Sequence, residues 1–227
     1  MSANHTLIKQ ILLDLDGTLA DTAQDLVFTL NTLLKNEGRR PLPFEQARAQ
    51  VSHGANALIE LGFGDALPAN KFKQLTAQFL EIYQNHLTHK TVLFPGMATL
   101  LDTLEARNQR WGVVTNKPSW LTNPLMEELG LAHRAACIVS GDTVENKKPH
   151  PQPLLHACKL MGVSADECLY VGDAKRDIEA GQRAGMKTLA ARFGYIDDGD
   201  DPATWGADGM IEHADEILVW QQRFNQI

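Results

Sequence analysis

Residues 11–19 read ILLDLDGTL, in which a short apolar run ends at two carboxylates, Asp14 and Asp16. The apolar run predicts a buried strand. Side chains two positions apart on a strand project to the same side, so a cation must relieve the repulsion between these carboxylates. A hard cation such as Mg²⁺ takes one or two carboxylates together with substrate phosphate. The alternative is a strand end capped by acidic turn residues.

Further apolar runs recur along the chain and alternate with amphipathic helical patterns, for example at 96–107 and 151–161. This alternation is typical of a parallel sheet wrapped by helices. We therefore predict an α/β fold with a Rossmann-like parallel sheet core. The predicted strands after the first lie at 111–115, 137–139, 169–171 and 188–190.

The connection from the first strand to the strand at Trp111 is far longer than an ordinary crossover. It contains helical patterns at 26–34, 55–61 and 72–82. We predict that residues 20–90 form a small all-helical cap domain inserted after strand 1, and that residues 1–19 and 91–227 form the α/β core. Ligands bind at the carboxyl ends of parallel strands, so this insert would cover the binding edge as a lid does.

Polar side chains follow the other predicted strands as well. Thr115 and Asn116 offer a hydroxyl, an amide and backbone N–H groups, which are groups that hold phosphate. Lys148 stands next to two prolines just before a predicted helix, Asp173 follows the strand at 169–171, and Asp177 comes four residues later. Turn formation alone does not explain so many charged and polar strand ends in one α/β chain. The pattern favours phosphate chemistry with a bound cation.

These segments resemble the four motifs of the haloacid dehalogenase-like hydrolase superfamily, and the resemblance extends over the whole chain. It implies a phosphomonoesterase in which Asp14 attacks phosphorus to form an aspartyl-phosphate and Asp16 acts as general acid and then general base. It also implies Mg²⁺ as the cofactor, bound by Asp14, the backbone carbonyl of Asp16 and Asp173, with Asp177 orienting the outer shell. The motifs are Asp14-x-Asp16-Gly17-Thr18, Thr115-Asn116, Lys148 before Pro149-x-Pro151, and Gly172-Asp173-x-x-x-Asp177.

The same resemblance assigns the phosphoryl oxygens to Thr115, Asn116 and Lys148, with Lys148 countering the charge that builds up. In the predicted cap it places the substrate-selecting loop at His53 and Gly54. The implied ligand is a small soluble phosphate ester.

Within the superfamily the chain resembles the phosphoglycolate phosphatases and, more closely, the N-acetylmuramic acid 6-phosphate phosphatases of bacterial cell-wall recycling. Residues 51–64 contain no lysine or arginine to bind the carboxylate of phosphoglycolate, and their small and hydrogen-bonding side chains suit a bulky sugar better. We therefore expect N-acetylmuramic acid 6-phosphate as substrate, with phosphoglycolate as the alternative. Muramic acid also carries a carboxylate, for which Arg48, Lys71 and Arg176 are candidate cations. The closer match rests on Ser52-x-Gly54-Ala55, 111–118, 193–196, Pro202 and 205–208.

Two other functions remain open. A sugar phosphomutase of this superfamily carries a proton-exchanging histidine where this chain has Leu26, so hydrolysis is favoured. A catalytically silent binding relative is disfavoured because every motif residue is intact.

The chain of 227 residues has 21 basic and 28 acidic side chains and a net charge of −7, which argues against a nucleic-acid partner. No uncharged run approaches the roughly twenty residues of a membrane span, and the first residues lack the apolar segment of a secretory signal, so no membrane partner is expected. Cys137, Cys158 and Cys168 are odd in number and lie in apolar stretches. They predict free core thiols and a cytoplasmic protein. The sequence carries no signal for an oligomeric state.

Overall fold

The computed structural model describes residues 6–197 and 199–226. The strands are β1 (Gln10–Leu13), β2 (Ala20–Asp21), β3 (Val92–Leu93), β4 (Trp111–Val114), β5 (Ile138–Val139), β6 (Cys168–Gly172), β7 (Lys187–Ala191) and β8 (Gly209–Ile211). The α-helices are α1 (Ala23–Asn36), α2 (Phe44–Arg48), α3 (Gly54–Phe63), α4 (Ala69–Gln84), α5 (Met97–Ala106), α6 (Ser119–Glu128), α7 (Gln152–Met161), α8 (Lys175–Ala184) and α9 (Glu216–Phe224).

Six strands form one parallel sheet in the order β5-β4-β1-β6-β7-β8. β4 and β5 lie on one side of β1, and β6 to β8 lie on the other. The loop after β1 therefore stands where the strand order reverses, which is the place where open parallel sheets bind ligands. Each of the five predicted strands is present, and the predicted Rossmann-like α/β fold is confirmed.

The structure also contains strands that the sequence did not predict. β8 extends the sheet at its edge with only three residues, too few to show a recognisable pattern. β2 and β3 form a separate antiparallel pair in which Ala20 lies opposite Leu93. These partners are far apart along the chain, so only the tertiary structure brings them into register.

Residues 23–84 contain helices without strands, and we call them the helical segment. Within it α1 packs against α3 and α4. The buried carboxylate of Asp25 accepts hydrogen bonds of 2.8–3.1 Å from the backbone N–H groups of Lys90 and Thr91 and from the Thr91 hydroxyl. Asp25 and the β2–β3 pair therefore both join the start of the helical segment to the chain that leaves it. The division into a core and a cap domain stays a prediction.

The central strand β1 is buried along its whole length. Ile11 and Leu13 belong to one apolar cluster that continues into the helical segment, and Leu12 belongs to a second. All three cysteines are free and buried, and they lie in this second cluster, which confirms that they are core residues. Among the described residues, no helix combines the length and apolar character needed to cross a membrane.

Candidate active site

The predicted charged and polar side chains meet at one edge of the sheet. Asp14 comes directly after β1, Thr115 after β4 and Asp173 after β6. Lys148 lies on the loop before α7, and Asp177 lies in the first turn of α8. Because neighbouring strands are only about 4.8 Å apart, side chains at their ends can touch. All five side chains are buried.

Lys148 lies among these carboxylates, and its side chain has an exposed fraction of 0%. Its Nζ lies 2.8 Å from Oδ1 of Asp14 and 2.7 Å from Oδ1 of Asp177. The same nitrogen contacts the carbonyl oxygen of Val114 and the hydroxyl of Tyr170, each at 2.9 Å. Burial of a charge is tolerated when the charge is both paired and hydrogen-bonded, and Lys148 meets both conditions. It is a fixed positive charge beside Asp14.

One oxygen from each of Asp14, Asp173 and Asp177 lies within 4.8 Å of the other two, and we call these residues the carboxylate cluster. Burial raises the pKa of Asp14 to about 7; Lys148 opposes this shift and the other two carboxylates add to it. Burial and the neighbouring Asp177 likewise raise the pKa of Asp173. Arg176 lowers both pKa values by a smaller amount, so the cluster remains short of positive charge. Carboxylate oxygens are the donors that Mg²⁺ prefers, so the residues present fit such a cation.

The turn after β1 is shaped to let Asp173 approach it. Gly17 has a φ of 86°, which favours glycine, and a Cβ there would collide with the Asp173 carboxylate. Oδ2 of Asp173 accepts hydrogen bonds from the Ser52 hydroxyl at 2.6 Å and from the Tyr195 N–H at 2.9 Å. In the part of the chain that the structure describes, Oδ1 has only a long contact of 3.4 Å with the Thr18 hydroxyl. Asp173 is therefore held through one oxygen, and the other remains available to a cation.

Asp14 is held in a similar way. Its Oδ1 accepts the N–H of Leu15 at 2.8 Å in addition to the contact with Lys148. Its Oδ2 has no hydrogen-bond partner in residues 6–197 and 199–226. The Asn116 side chain bonds to both the N–H and the carbonyl of Lys148, each at 3.0 Å. The side-chain amide of Asn116 thus positions the loop that carries Lys148. The backbone N–H of Asn116 takes no part in these two hydrogen bonds, so it can donate to a bound anion.

Asp16 has a separate environment. Its Oδ1 lies 2.9 Å from Nζ of Lys117 and accepts the Thr22 hydroxyl at 2.7 Å. Lys117 also donates at 2.8 Å to the hydroxyl of Tyr83, a residue of α4. Burial lowers the pKa of Lys117, but Asp16 and Tyr83 together outweigh this effect, and the net shift is upward. The Asp14 and Asp16 carboxylates therefore contact two different lysines. The shared cation that the sequence suggested stays a prediction.

A cavity of about 480 Å³ lies next to the carboxylate cluster and is lined by both the strand ends and the helical segment. The predicted cap residues His53 and Gly54 line it, as do Ser52 and Asn56 from the same region. Its other lining residues include Asp14, Asp16, Thr115, Asn116, Leu26, Phe79, Leu80 and Leu121. Volumes of this order accommodate a ligand the size of a sugar phosphate.

The three candidate cations for a substrate carboxylate lie in different places. Arg48 lies over the ring of Tyr195, 5.0 Å from its centroid. Lys71 pairs with Glu37 at 2.8 Å. Neither lines the cavity, whereas Arg176 does.

Lys117, Tyr83 and Ser52 contact the predicted site residues, although the sequence reasoning assigned none of them a role. Lys117 directly follows Thr115-Asn116, so its place after a strand end was a usable signal. Tyr83 and Ser52 come from the helical segment, where no local pattern indicates which side chains reach the strand ends.

Comparisons with known proteins agree with this geometry. The model of the haloacid dehalogenase-like hydrolase family matches residues 11–191. The N-acetylmuramic acid 6-phosphate phosphatase of Pseudomonas putida is 41% identical over 210 residues, which cover 92% of this chain and 94% of that protein. The phosphoglycolate phosphatase of Xanthomonas campestris is 40% identical over 217 residues, which cover 94% of this chain and 98% of that protein.

A solved structure extends the likeness to the fold. The crystal structure of a predicted phosphoglycolate phosphatase from Haemophilus somnus matches with a TM-score of 0.85 at 28% identity, covering 95% of this chain and 98% of that one. The match therefore includes the helical segment as well as the sheet.

Proposed function

We infer the function of this chain from one premise: it belongs to the haloacid dehalogenase-like hydrolase family. We propose that it is a Mg²⁺-dependent phosphomonoesterase that forms an aspartyl-phosphate on Asp14 and acts on a small soluble phosphate ester. We also propose that it works in the cytoplasm, which its three free, buried cysteines support.

The substrate we propose is N-acetylmuramic acid 6-phosphate. The name of the Pseudomonas putida relative, at 41% identity, supports this choice. The cavity supports it too, because ligands bury most of their surface in their pockets, and a two-carbon acid would fill little of 480 Å³. Its walls combine apolar side chains, such as Leu26 and Phe79, with hydrogen-bonding ones, such as His53 and Asn56. This mixture suits an acetylated sugar.

Asp14 is the proposed nucleophile. Lys148 and the Leu15 N–H hold its Oδ1, so Oδ2 is free to form the bond to phosphorus. As that bond forms, the bond from phosphorus to the sugar oxygen breaks and the electron pair leaves with that oxygen. Lys148 offsets the negative charge at the reacting group, and the Thr115 hydroxyl and Asn116 N–H would bind phosphoryl oxygens.

Asp16 is the proposed general acid and base. It gives a proton to the departing sugar oxygen and then takes one from the water that attacks the phosphorus of the aspartyl-phosphate. This second attack releases phosphate and restores Asp14. Lys117 and Thr22 contact only Oδ1 of Asp16, which leaves Oδ2 to carry the proton. Tyr83 holds Lys117, so the helical segment helps to position the acid.

Mg²⁺ would be held by Asp14, Asp173 and the backbone carbonyl of Asp16, with Asp177 orienting its outer shell. When bound, it neutralises the carboxylate cluster and polarises the phosphoryl group. Ser52 and Tyr195 keep one oxygen of Asp173 in place, so the other oxygen faces a binding position.

The observation that carries the phosphatase proposal is the contact of buried Lys148 with Asp14 beside an acidic cluster and a cavity. The test is phosphate release from N-acetylmuramic acid 6-phosphate by the purified protein with Mg²⁺. We expect turnover with one phosphate released per sugar. Absence of phosphate release from this compound and from chromogenic esters would refute the proposal.

Phosphoglycolate hydrolysis is the second candidate, and the Xanthomonas campestris relative at 40% identity favours it. The two substrates are distinguished by their kcat/KM values, measured side by side. We expect the higher value for N-acetylmuramic acid 6-phosphate. A large preference for 2-phosphoglycolate would overturn the sugar phosphate and leave the phosphatase chemistry in place.

A further inference from the structure

Arg176 is a cation of the cavity with unused hydrogen-bonding capacity. It is half-buried in the first turn of α8, between Asp173 and Asp177 in sequence. Within the described residues it makes no ion pair, and its one hydrogen bond goes from Nη2 to the carbonyl oxygen of Ser52 at 2.7 Å. A guanidinium has five N–H donors, so four remain for a ligand.

The lysines at the site, in contrast to Arg176, have protein partners or are solvated. Lys148 contacts two carboxylates of the cluster, and Lys117 contacts Asp16 and a tyrosine hydroxyl. Lys147 also lines the cavity, but it is exposed, and water screens its charge. Arg176 therefore combines partial burial with donors that protein groups do not occupy.

Within the described residues Arg176 makes no hydrogen bond to the Asp14 carboxylate, although it lies near enough to Asp177, Asp14 and Asp173 for their charges to raise its pKa. The phosphoryl group must lie against Asp14, where Lys148 supplies the positive charge. Arg176 instead contacts Ser52, in the stretch that lines the cavity with His53 and Gly54. Arg176 can therefore meet an anionic substrate group on the side of the cavity that Ser52, His53 and Gly54 line.

We propose that Arg176 is a specificity-determining residue that binds the carboxylate of the substrate, and so selects phosphate esters that carry one. This inference rests on the proposed function and deepens it, because both candidate substrates contain a carboxylate. The planar fork of arginine matches a carboxylate with two parallel hydrogen bonds. This assignment also accounts for the lack of lysine and arginine in residues 51–64, because α8 supplies the cation that binds the carboxylate.

The experiment compares two sugar phosphates that differ in the carboxylate. N-acetylglucosamine 6-phosphate keeps the phosphate, the ring and the acetamide of N-acetylmuramic acid 6-phosphate but lacks its lactyl carboxylate. Titration calorimetry with the full-length Asp14→Asn protein and Mg²⁺ measures binding without turnover. We expect Arg176→Gln in this background to weaken the muramic acid ligand roughly 10- to 100-fold more than the glucosamine ligand.

Lys147→Gln is the matched control, because it removes the same charge from the same cavity. We expect it to weaken both ligands alike. Arg176→Lys keeps the charge without the planar fork and should recover only part of the preference, and it carries the test if Arg176→Gln does not fold. Three outcomes would overturn the inference. The Arg176 variants could weaken both ligands equally, Lys147→Gln could weaken the muramic acid ligand selectively, or the Asp14→Asn parent could bind both ligands with equal affinity.

Phosphate release by the wild-type chain tests the proposed function separately. Release without an Arg176-dependent preference refutes the carboxylate assignment alone. An Arg176-dependent preference without release from the sugar phosphate refutes the proposed function and supports the binding role.

Discussion

Replacing Lys117 with methionine tests how the chain holds Asp16. The side chains of Lys117 and Asp16 are 6% and 18% exposed, and Nζ lies 2.9 Å from Oδ1. Methionine keeps an unbranched apolar stem but removes the charge and the donors. Asp16 would then keep only the hydroxyl of Thr22, and Tyr83 would lose its partner.

The expected cost follows from the burial of this pair. Breaking a buried ion pair by removing one partner costs about 3–5 kcal/mol, because the remaining charge is uncompensated. Asp16 keeps one hydrogen bond and borders the cavity, so we expect a loss near the lower end, about 3 kcal/mol. Asp16→Asn removes the charge that Lys117→Met would leave unpaired. The double variant should therefore cost less than the sum, with a coupling energy of about 1.5–3 kcal/mol.

The assay is reversible urea unfolding of the wild type, both single variants and the double variant, in the same metal-free buffer. The pair Lys71–Glu37 is the control, with a similar distance of 2.8 Å but exposures of 35% and 26%. A pair this exposed should show a coupling energy of about 0.2–1 kcal/mol. A coupling energy at Lys117–Asp16 no larger than at the control pair would show that burial does not strengthen this ion pair.

The same variant has a catalytic readout. If Lys117 positions Asp16, Lys117→Met lowers kcat by roughly 10²-fold, because general acid–base catalysis contributes about that much and depends on geometry. KM should change little, because Lys117 is already occupied by protein groups. Tyr83→Phe removes only the hydroxyl and should have a smaller effect in the same direction. An unchanged kcat in Lys117→Met would show that Asp16 does not depend on this lysine.

Three further predictions concern the nucleophile, the cation and the thiols. Asp14→Asn should lose turnover and the phosphorylated form seen by intact-protein mass spectrometry, because an amide is not a nucleophile; wild-type turnover in this variant would contradict the assignment. A chelator should abolish activity and Mg²⁺ should restore it, whereas Ca²⁺, with its looser coordination, should not; full activity in metal-free buffer would exclude this. Burial raises the pKa of Cys137 to about 12, so between about pH 9 and 12 its thiolate should form only in the unfolded chain. Iodoacetamide at pH 9 should therefore modify Cys137 only after urea is added, and rapid labelling of the native protein would contradict this.

Local patterns in the sequence were enough to predict the parallel sheet and the segments that carry the site. The apolar runs at 11–13 and 169–171, which lie in β1 and β6, are short and bounded by polar residues. This local pattern is enough to predict them as strands. The edge at which Asp14, Lys148 and Asp173 meet follows from the same reasoning, because parallel strands place their carboxyl ends together. Gly17, which follows Asp16 in the same segment, fits the close approach of Asp173 that the structure shows there.

The pairing of side chains within the site depends on tertiary contacts that no local pattern displays. The sequence did not show that Asp14 and Asp16 each contact a different lysine. The amide of Asn116 holds the lysine loop, a contact between residues on two separate connections. Such pairings depend on side-chain rotamers and on how loops close, and neither has a period or spacing that a single sequence displays.

The helical segment shows most clearly the difference between what local sequence patterns predict and what packing sets. Three of its helices, α1, α3 and α4, could be predicted from apolar spacing. The short helix α2, the placement of Ser52 on Asp173 and that of Tyr83 on Lys117 could not. Those contacts arise because α1, α3 and α4 pack together and because Asp25 and the β2–β3 pair join the two ends of the segment. Local periodicity specifies which face of a helix is buried, whereas the side chains that reach a distant strand end are set by packing between elements far apart in the chain.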